Sequence, residues 1–317
     1  MKAVLDALRR EGILGINGRN ARYTLKANPR RLYPLVDDKL RTKQLCLDAG
    51  IPTPALLGFA SHHFEIRGLL ARLEQHDRFV LKPARGAMGN GILVVTGRDE
   101  TGFVRSGGRR VTADAIRYHA ASIISGLYAL GGQNDVAMVE ELLQVHPDLV
   151  EITKDGVPDI RVILYRGIPA MAMTRLPTSS SGGRANLHQG AVGAGIDIRT
   201  GNITHAVCKG RPVRRHPDSR LLLRGRPLPR FEEVLEIAVR ATDQTGLNYV
   251  GADIVVDARY GPVILELNAR PGLAVQVANR AGLQPRLESI DRLWRPDRPL
   301  AERISLGQEI GEVAYDA

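Results

Sequence analysis

Glu266 and Asn268 stand two residues apart in GPVILELNARPG (261–272), at the end of an apolar run. Asp253 stands inside the preceding run, YVGADIVVDARYG (249–261). Side chains alternate along a strand, so Glu266 and Asn268 share a face, and pairing across the turn brings Asp253 beside them. Two carboxylates and an amide oxygen make a hard, oxygen-only donor set that suits Mg²⁺ or Mn²⁺ and serves zinc poorly. An unpaired buried carboxylate costs several kcal/mol, so something has to neutralise it. A divalent cation is one solution. An arginine partner for Glu266, with Asn268 capping the turn, is the other.

Three further segments carry chemistry. In RFVLKPARGAMGNGILVV (78–95), Lys82 ends an apolar strand ahead of a loop with Gly86, Gly89 and Gly91. Glycines let backbone N–H groups approach a phosphate, and the lysine adds a point charge. No Gly-Lys-Ser/Thr follows, so this is not a Walker A loop. In MVEELL (138–143), an apolar strand emerges at Glu141 and Leu142, which suits backbone pairing to a purine edge beside an apolar platform. Asp159 and Arg161, then Arg175, then Arg184, Asn186 and His188 of RANLHQG, make a cationic cluster fit for a phosphoryl group in transfer.

The elements that must hold these residues alternate between helices and hairpins. Asp37-Asp38-Lys39 opens a helix with apolar Leu40, Leu45 and Leu47 that stops at Gly50. Hairpins are expected at 159–177, turning at Arg166-Gly167, and at 249–272. Residues 209–230 read as an extended basic insertion, and FEEVLEIAVRATDQTGL as an amphipathic helix. The class is α+β with mainly antiparallel sheets. Expected divisions are a short basic segment at 1–37, sub-domains at 38–143 and 144–290, and a tail at 291–317.

Lys and Arg number 44 against 34 Asp and Glu, a formal charge of +10 that favours an acidic partner. Nucleic acid is disfavoured as the main partner, because five Phe and one Trp offer little stacking surface. No apolar stretch approaches bilayer length and no signal peptide opens the chain, so a cytoplasmic location is expected, with a peripheral membrane partner still open.

In this order, the lysine-led helix, VLKPARGAMGNG, VEELL, DIRV, RANLHQG, GADIVV and LELNARPG resemble the ATP-grasp superfamily, in its alpha-L-glutamate ligase-like branch, over about residues 37–283. The resemblance implies two α+β sub-domains clasping ATP. It implies an ATP- and Mg²⁺-dependent (or Mn²⁺-dependent) ligase that joins a carboxylate to an amine through an acylphosphate. Carried over by motif, Lys39 and Lys82 contact the phosphates with the glycine loop. Glu141 and Leu142 form the adenine hinge, with Asp159, Arg184 and Asn186 as further nucleotide contacts. Asp253, Glu266 and Asn268 hold the metal, and Arg161, Arg175, Arg184, His188 and Arg270 serve catalysis. The ribose contact falls to Asp148 or Glu151. Many relatives carry an α/β domain before the lysine-led helix, so part of the acceptor wall is expected to be missing or supplied by a partner. A catalytically silent nucleotide-binding scaffold is the alternative.

Overall fold

The computed structural model describes residues 2–86, 89–100, 102–129 and 131–313. The chain divides into two compact units, one of Asp38–Leu40 and Pro54–Gln144 and the other of Met1–Asp37, Arg41–Thr53 and Val145–Ala317. Each has its own sheet, and every strand pairing is antiparallel.

The smaller unit holds β1 (Leu56–Ala60), β2 (Phe79–Pro83), β3 (Leu93–Asp99), β4 (Gly102–Arg105), β5 (Arg110–Val111) and β6 (Ala137–Glu141), ordered β1-β6-β2-β3-β4-β5. Phe79 and Leu81 alternate inward on β2 and meet Ile116, Ala120 and Ile123, one stripe of the helix Ala113–Ile124. Thr112 caps that helix by accepting from the Ala115 amide at 3.2 Å.

The larger unit holds β7 (Asp159–Tyr165), β8 (Ile168–Leu176), β9 (Val192–Ile196), β10 (Ile203–Cys208), β11 (Arg211–Pro212), β12 (Tyr249–Asp257) and β13 (Gly261–Asn268), ordered β11-β10-β9-β8-β7-β12-β13. Strands β7 and β12 are buried along their whole length, so both faces of the sheet are covered. On one face Val162, Val250, Ile254 and Ile264 join Val234, Leu235 and Ala238 of the helix Phe231–Asp243. On the other, Ile163, Met171, Met173 and Tyr249 meet Val275, Leu287, Leu306 and Ile310. That second core fills only part of its face. The charged residues occupy the rest.

The β7–β8 hairpin turns where expected, with Arg166 and Gly167 both at positive φ (51° and 71°), the backbone of a tight two-residue turn. The helix Lys39–Asp48 forms, but it buries Thr42, Lys43 and Cys46 while Leu47 is exposed. Residues 42, 43 and 46 share one helical face, and the Thr42 hydroxyl donates to the Leu35 carbonyl at 2.8 Å. Most of this helix belongs to the larger unit, whereas the expected boundary gave all of it to the smaller one. Within 291–317, expected as a tail, the helix Leu300–Val313 places Leu306 and Ile310 in the second core. The basic insertion, expected as extended, is anchored: Leu223 and Leu228 are core residues, and His216 is fully buried.

The segment before the lysine-led helix also has a structural task. Buried Asn28 donates through Nδ2 to the carbonyls of Tyr249 (2.7 Å) and Ala269 (3.2 Å). Its Oδ1 accepts from the amides of Asn248 (2.9 Å) and Tyr249 (2.8 Å). One side chain thus satisfies four backbone groups where β12 begins and β13 ends. Asn28→Ala strands those groups in the interior and is expected to lower unfolding free energy by about 3 kcal/mol, read from the urea midpoint. An unchanged midpoint would contradict this role.

Candidate active site

The larger unit brings five charged side chains onto one sheet face. Asp159 lies opposite Arg175 across β7–β8, Arg161 opposite Asp253 across β7–β12, and Asp253 opposite Glu266 across β12–β13. Arg161 grips Asp253 with two parallel bonds, Nε to Oδ1 at 2.7 Å and Nη2 to Oδ2 at 2.6 Å. Arg175 does the same to Asp159, at 2.5 and 2.7 Å, and its Nη2 also reaches Asp253 Oδ2 at 2.8 Å. Asn268 Nδ2 donates to Glu266 Oε1 at 3.0 Å.

A β-bulge sets this register. Ile254 pairs with Ile264, yet Asp253 pairs with Glu266, so Leu265 is the extra residue on β13. Without it, Leu265 would face Asp253 and Glu266 would sit one place out of line. Bulges re-aim side chains in this way.

The electrostatics follow from burial. Burial raises the Asp253 carboxyl, but Arg161 and Arg175 outweigh it and hold the group well below the usual carboxylate range. At Asp159 burial wins. Arg175 offsets only part of it, the Asp253 charge adds to it, and the group is pushed up to about 6. Burial would lower the Arg175 guanidinium, and its two carboxylates raise it further instead. On acidification the first proton therefore goes to Asp159, and Asp253 keeps its charge.

Asp253 is met by two arginines, so the carboxylates expected to hold a metal and the arginines expected to bind a phosphoryl group form one network. Among the described residues no group of three His, Cys, Asp or Glu is placed to hold a metal ion. The expected donor set is two carboxylates and an amide, all hard oxygens, a type that suits a divalent cation held with an anionic ligand.

In the smaller unit, Lys82 Nζ lies 2.5 Å from Glu140 Oε2, both side chains buried, so it already has an anion beside it. Lys39 Nζ donates to the Gly86 carbonyl at 2.7 Å, at the start of the glycine loop. Asp135 anchors that start by accepting from the Arg85 amide at 3.0 Å and the Val136 amide at 2.7 Å. Burial pushes the Asp135 carboxyl up against those bonds. A Cβ on Gly86 would lie 2.2 Å from Pro83 Cγ, and one on Gly91 (φ 74°) 2.6 Å from the Tyr128 ring, so neither position admits a side chain. Gly89 also has positive φ (75°). Ala87 and Met88 of this loop lie outside the described residues. Glu141 Oε1 accepts from the Ala55 amide at 3.0 Å, and Leu142 beside it is half-buried.

The other expected residues make contacts of their own. Exposed Arg184 donates to Gln189 Oε1 at 3.3 Å, and Asn186 Oδ1 caps a short turn by accepting from the amide of exposed His188 at 3.0 Å. Arg270 leans over the Tyr33 ring and lies 3.5 Å from Asp37. Glu151 accepts from Arg226 at 3.1 Å, and Asp148 sits in the first turn of the helix Pro147–Thr153. Sequence reading missed Arg19, which is buried and donates to the Pro271 carbonyl at 2.6 Å, fixing the loop after β13. It also missed Asp135 and Asn28. None of the three lies in a recognisable motif.

Residues 18–292 match the sugar-transfer associated ATP-grasp family. The chain belongs to that family. It is 27% identical over 263 residues to a probable alpha-L-glutamate ligase of Thioalkalivibrio sulfidiphilus, covering 82% of this chain and 65% of that protein. A second probable alpha-L-glutamate ligase, from Parasynechococcus marenigrum, is 26% identical over 237 residues, 74% of this chain and 36% of that one. This chain therefore spans less than two thirds of the length of these relatives. A solved structure of the ATP-grasp ligase PsnB complexed with a minimal precursor is 18% identical, with a TM-score of 0.44 over 84% of this chain and 63% of that one. No helix among the described residues is long and apolar enough to cross a membrane.

Two outcomes test the network. Arg161→Ala leaves Asp253 buried with one arginine and is expected to cost about 3–5 kcal/mol in urea unfolding. A cost under about 1 kcal/mol would mean that the pair is dispensable. Asp159 holds its proton more tightly in the folded chain than in the unfolded one. Its stabilising contribution is thus present below about pH 4 and lost as pH rises toward about 6. The stability difference between wild type and Asp159→Asn should change across that window and level off above it. A difference flat from pH 4 to 6 would contradict the assignment.

Proposed function

We propose that this chain is an ATP-dependent carboxylate–amine ligase. The observation that carries the reading is the network of Asp159, Arg161, Arg175, Asp253 and Glu266 on one sheet face, with Asn268 donating to Glu266. Family membership and the names of the relatives support the same reading. The family described as sugar-transfer associated leaves the acid and the amine open, and glutamate is the amino acid that the relatives' names suggest.

In this reading Lys39, Lys82 and the backbone amides at Gly86, Gly89 and Gly91 meet the triphosphate, and Glu141 and Leu142 border the adenine. A magnesium ion held by Asp253, Glu266 and Asn268 would offset phosphate charge. The substrate carboxylate oxygen attacks the γ-phosphorus, the bond to the β–γ bridging oxygen breaks, and ADP leaves. Arg161 uses Nε and Nη2 on Asp253, and Nη1 is the remaining arm for a phosphoryl oxygen. Arg175, fixed by two carboxylates, holds its positive charge at a set place while negative charge develops nearby. The amine then displaces phosphate from the acylphosphate, forming the amide. The protein's own residues contribute position and charge and make no covalent bond to the substrate.

A second reading has one observation in its favour. Lys82 and Asp253 already have internal partners, as in a site that binds nucleotide without turning it over. ADP release in the presence of candidate acids and amines separates the two. The ligase reading predicts ADP formation that requires the acid and turns over repeatedly only with the amine, and a drop of at least a hundredfold in Glu266→Gln with the unfolding midpoint retained. Nucleotide binding with no acid-dependent ADP from any pair would leave the scaffold reading standing.

A further inference from the structure

The basic insertion is a fixed surface with no partner in the catalytic reading. From Lys209 to Arg230 the chain leaves β10, forms β11 at the outer edge of the larger sheet, and returns through a bridge between Arg215 and Leu222. Three buried side chains anchor it: His216, Leu223 and Leu228. Along the segment Lys209, Arg211, Arg214, Arg220 and Arg224 are exposed, and among the described residues none of the five makes an ion pair. Asp218, the one acidic residue of the segment, is occupied by the Ser179 amide at 2.8 Å.

The same bond ties the insertion to the loop that leaves β8 just after Arg175. His216 Nε2 lies 2.9 Å from the Pro177 carbonyl, and Lys209 runs along Gly190, where a Cβ would lie 2.9 Å from its Cε. That loop contributes two more exposed basic residues, Arg184 and His188. Seven basic side chains thus line two joined segments, the first of which begins two residues beyond Arg175 of the carboxylate–arginine network.

We infer that this face grips an acidic peptide, the acceptor to which the ligase adds. The inference rests on the ligase reading for the word acceptor. The binding itself rests on the charge arrangement. Guanidinium groups match carboxylates through two parallel bonds. From Arg175 to Arg230 there is no Phe, Tyr or Trp, so the face has nothing on which bases can stack, which argues against nucleic acid. Its one large exposed apolar side chain is Leu222, too little to enter a lipid surface.

A fluorescent deca-glutamate peptide, titrated into the full chain and followed by anisotropy, tests the inference without turnover. Binding is expected, and it should weaken steeply with added salt. The pairs Arg211→Gln with Arg214→Gln, and Arg220→Gln with Arg224→Gln, should each weaken it at least tenfold while ATP binding and the unfolding midpoint stay unchanged. Where the ligase assay succeeds, the same pairs should raise the KM of an acidic peptide acceptor and leave its kcat in place. Absence of binding, binding indifferent to both pairs, or tighter binding of single-stranded RNA, a polyuronate or anionic phospholipid vesicles would overturn the inference. Peptide binding without any ligase activity would instead remove the reading of the peptide as acceptor and keep the surface.

Discussion

The buried contact between Asp253 and Arg161, shared with Arg175, is the constraint on which the rest of the larger unit depends. Taking charges out of water is expensive, and the attraction between them repays that cost only when the geometry is good and remaining lone pairs are used. Here both Asp253 oxygens accept from guanidiniums, and two-pronged pairs link Asp253 to Arg161 and Asp159 to Arg175. Four neighbouring strands have to be in one register for this to happen. A slip of one residue on any of them would send its charged side chain into the opposite, apolar face. Asn28 and Arg19 hold the strand ends and the following loop where that register needs them.

The smaller unit uses the same device at smaller scale. Lys82 is buried against Glu140, and Asp135 is buried against backbone amides at the start of the glycine loop. In both units the groups assigned to an anionic ligand are held in place by internal partners, so they do not have to be ordered when the ligand arrives. Preorganised charge of this kind favours a reacting phosphoryl group more than flexible surface cations do.

Much of the site was readable from the sequence because strand periodicity and motif order carry it. The alternation in 261–268 places Glu266 and Asn268 on one face, and the β7–β8 hairpin turns at Arg166-Gly167, the pair that marked it. The pairing of Asp253 with arginines was not readable, because register across β7 and β12 joins residues about ninety positions apart and no local signal records it. The bulge at Leu265 escaped for the same reason: an extra apolar residue in an apolar strand looks like any other. Asn28, Arg19 and Asp135 act through backbone groups, which the sequence does not distinguish. The basic insertion read as an extended segment because charge dominates it, and the three buried side chains that fix it, His216, Leu223 and Leu228, follow no helix or strand period.

The most direct test of the central claim is electron paramagnetic resonance of Mn²⁺ titrated with ATP into the wild-type chain and into Glu266→Gln. The account predicts that ATP and wild-type protein together deplete the free Mn²⁺ signal well beyond ATP alone, and that the variant, folded to the same midpoint, abolishes this excess. Equal depletion by the two proteins, or none by the wild type, would show that the network of Asp253, Glu266 and Asn268 does not hold a metal–nucleotide complex.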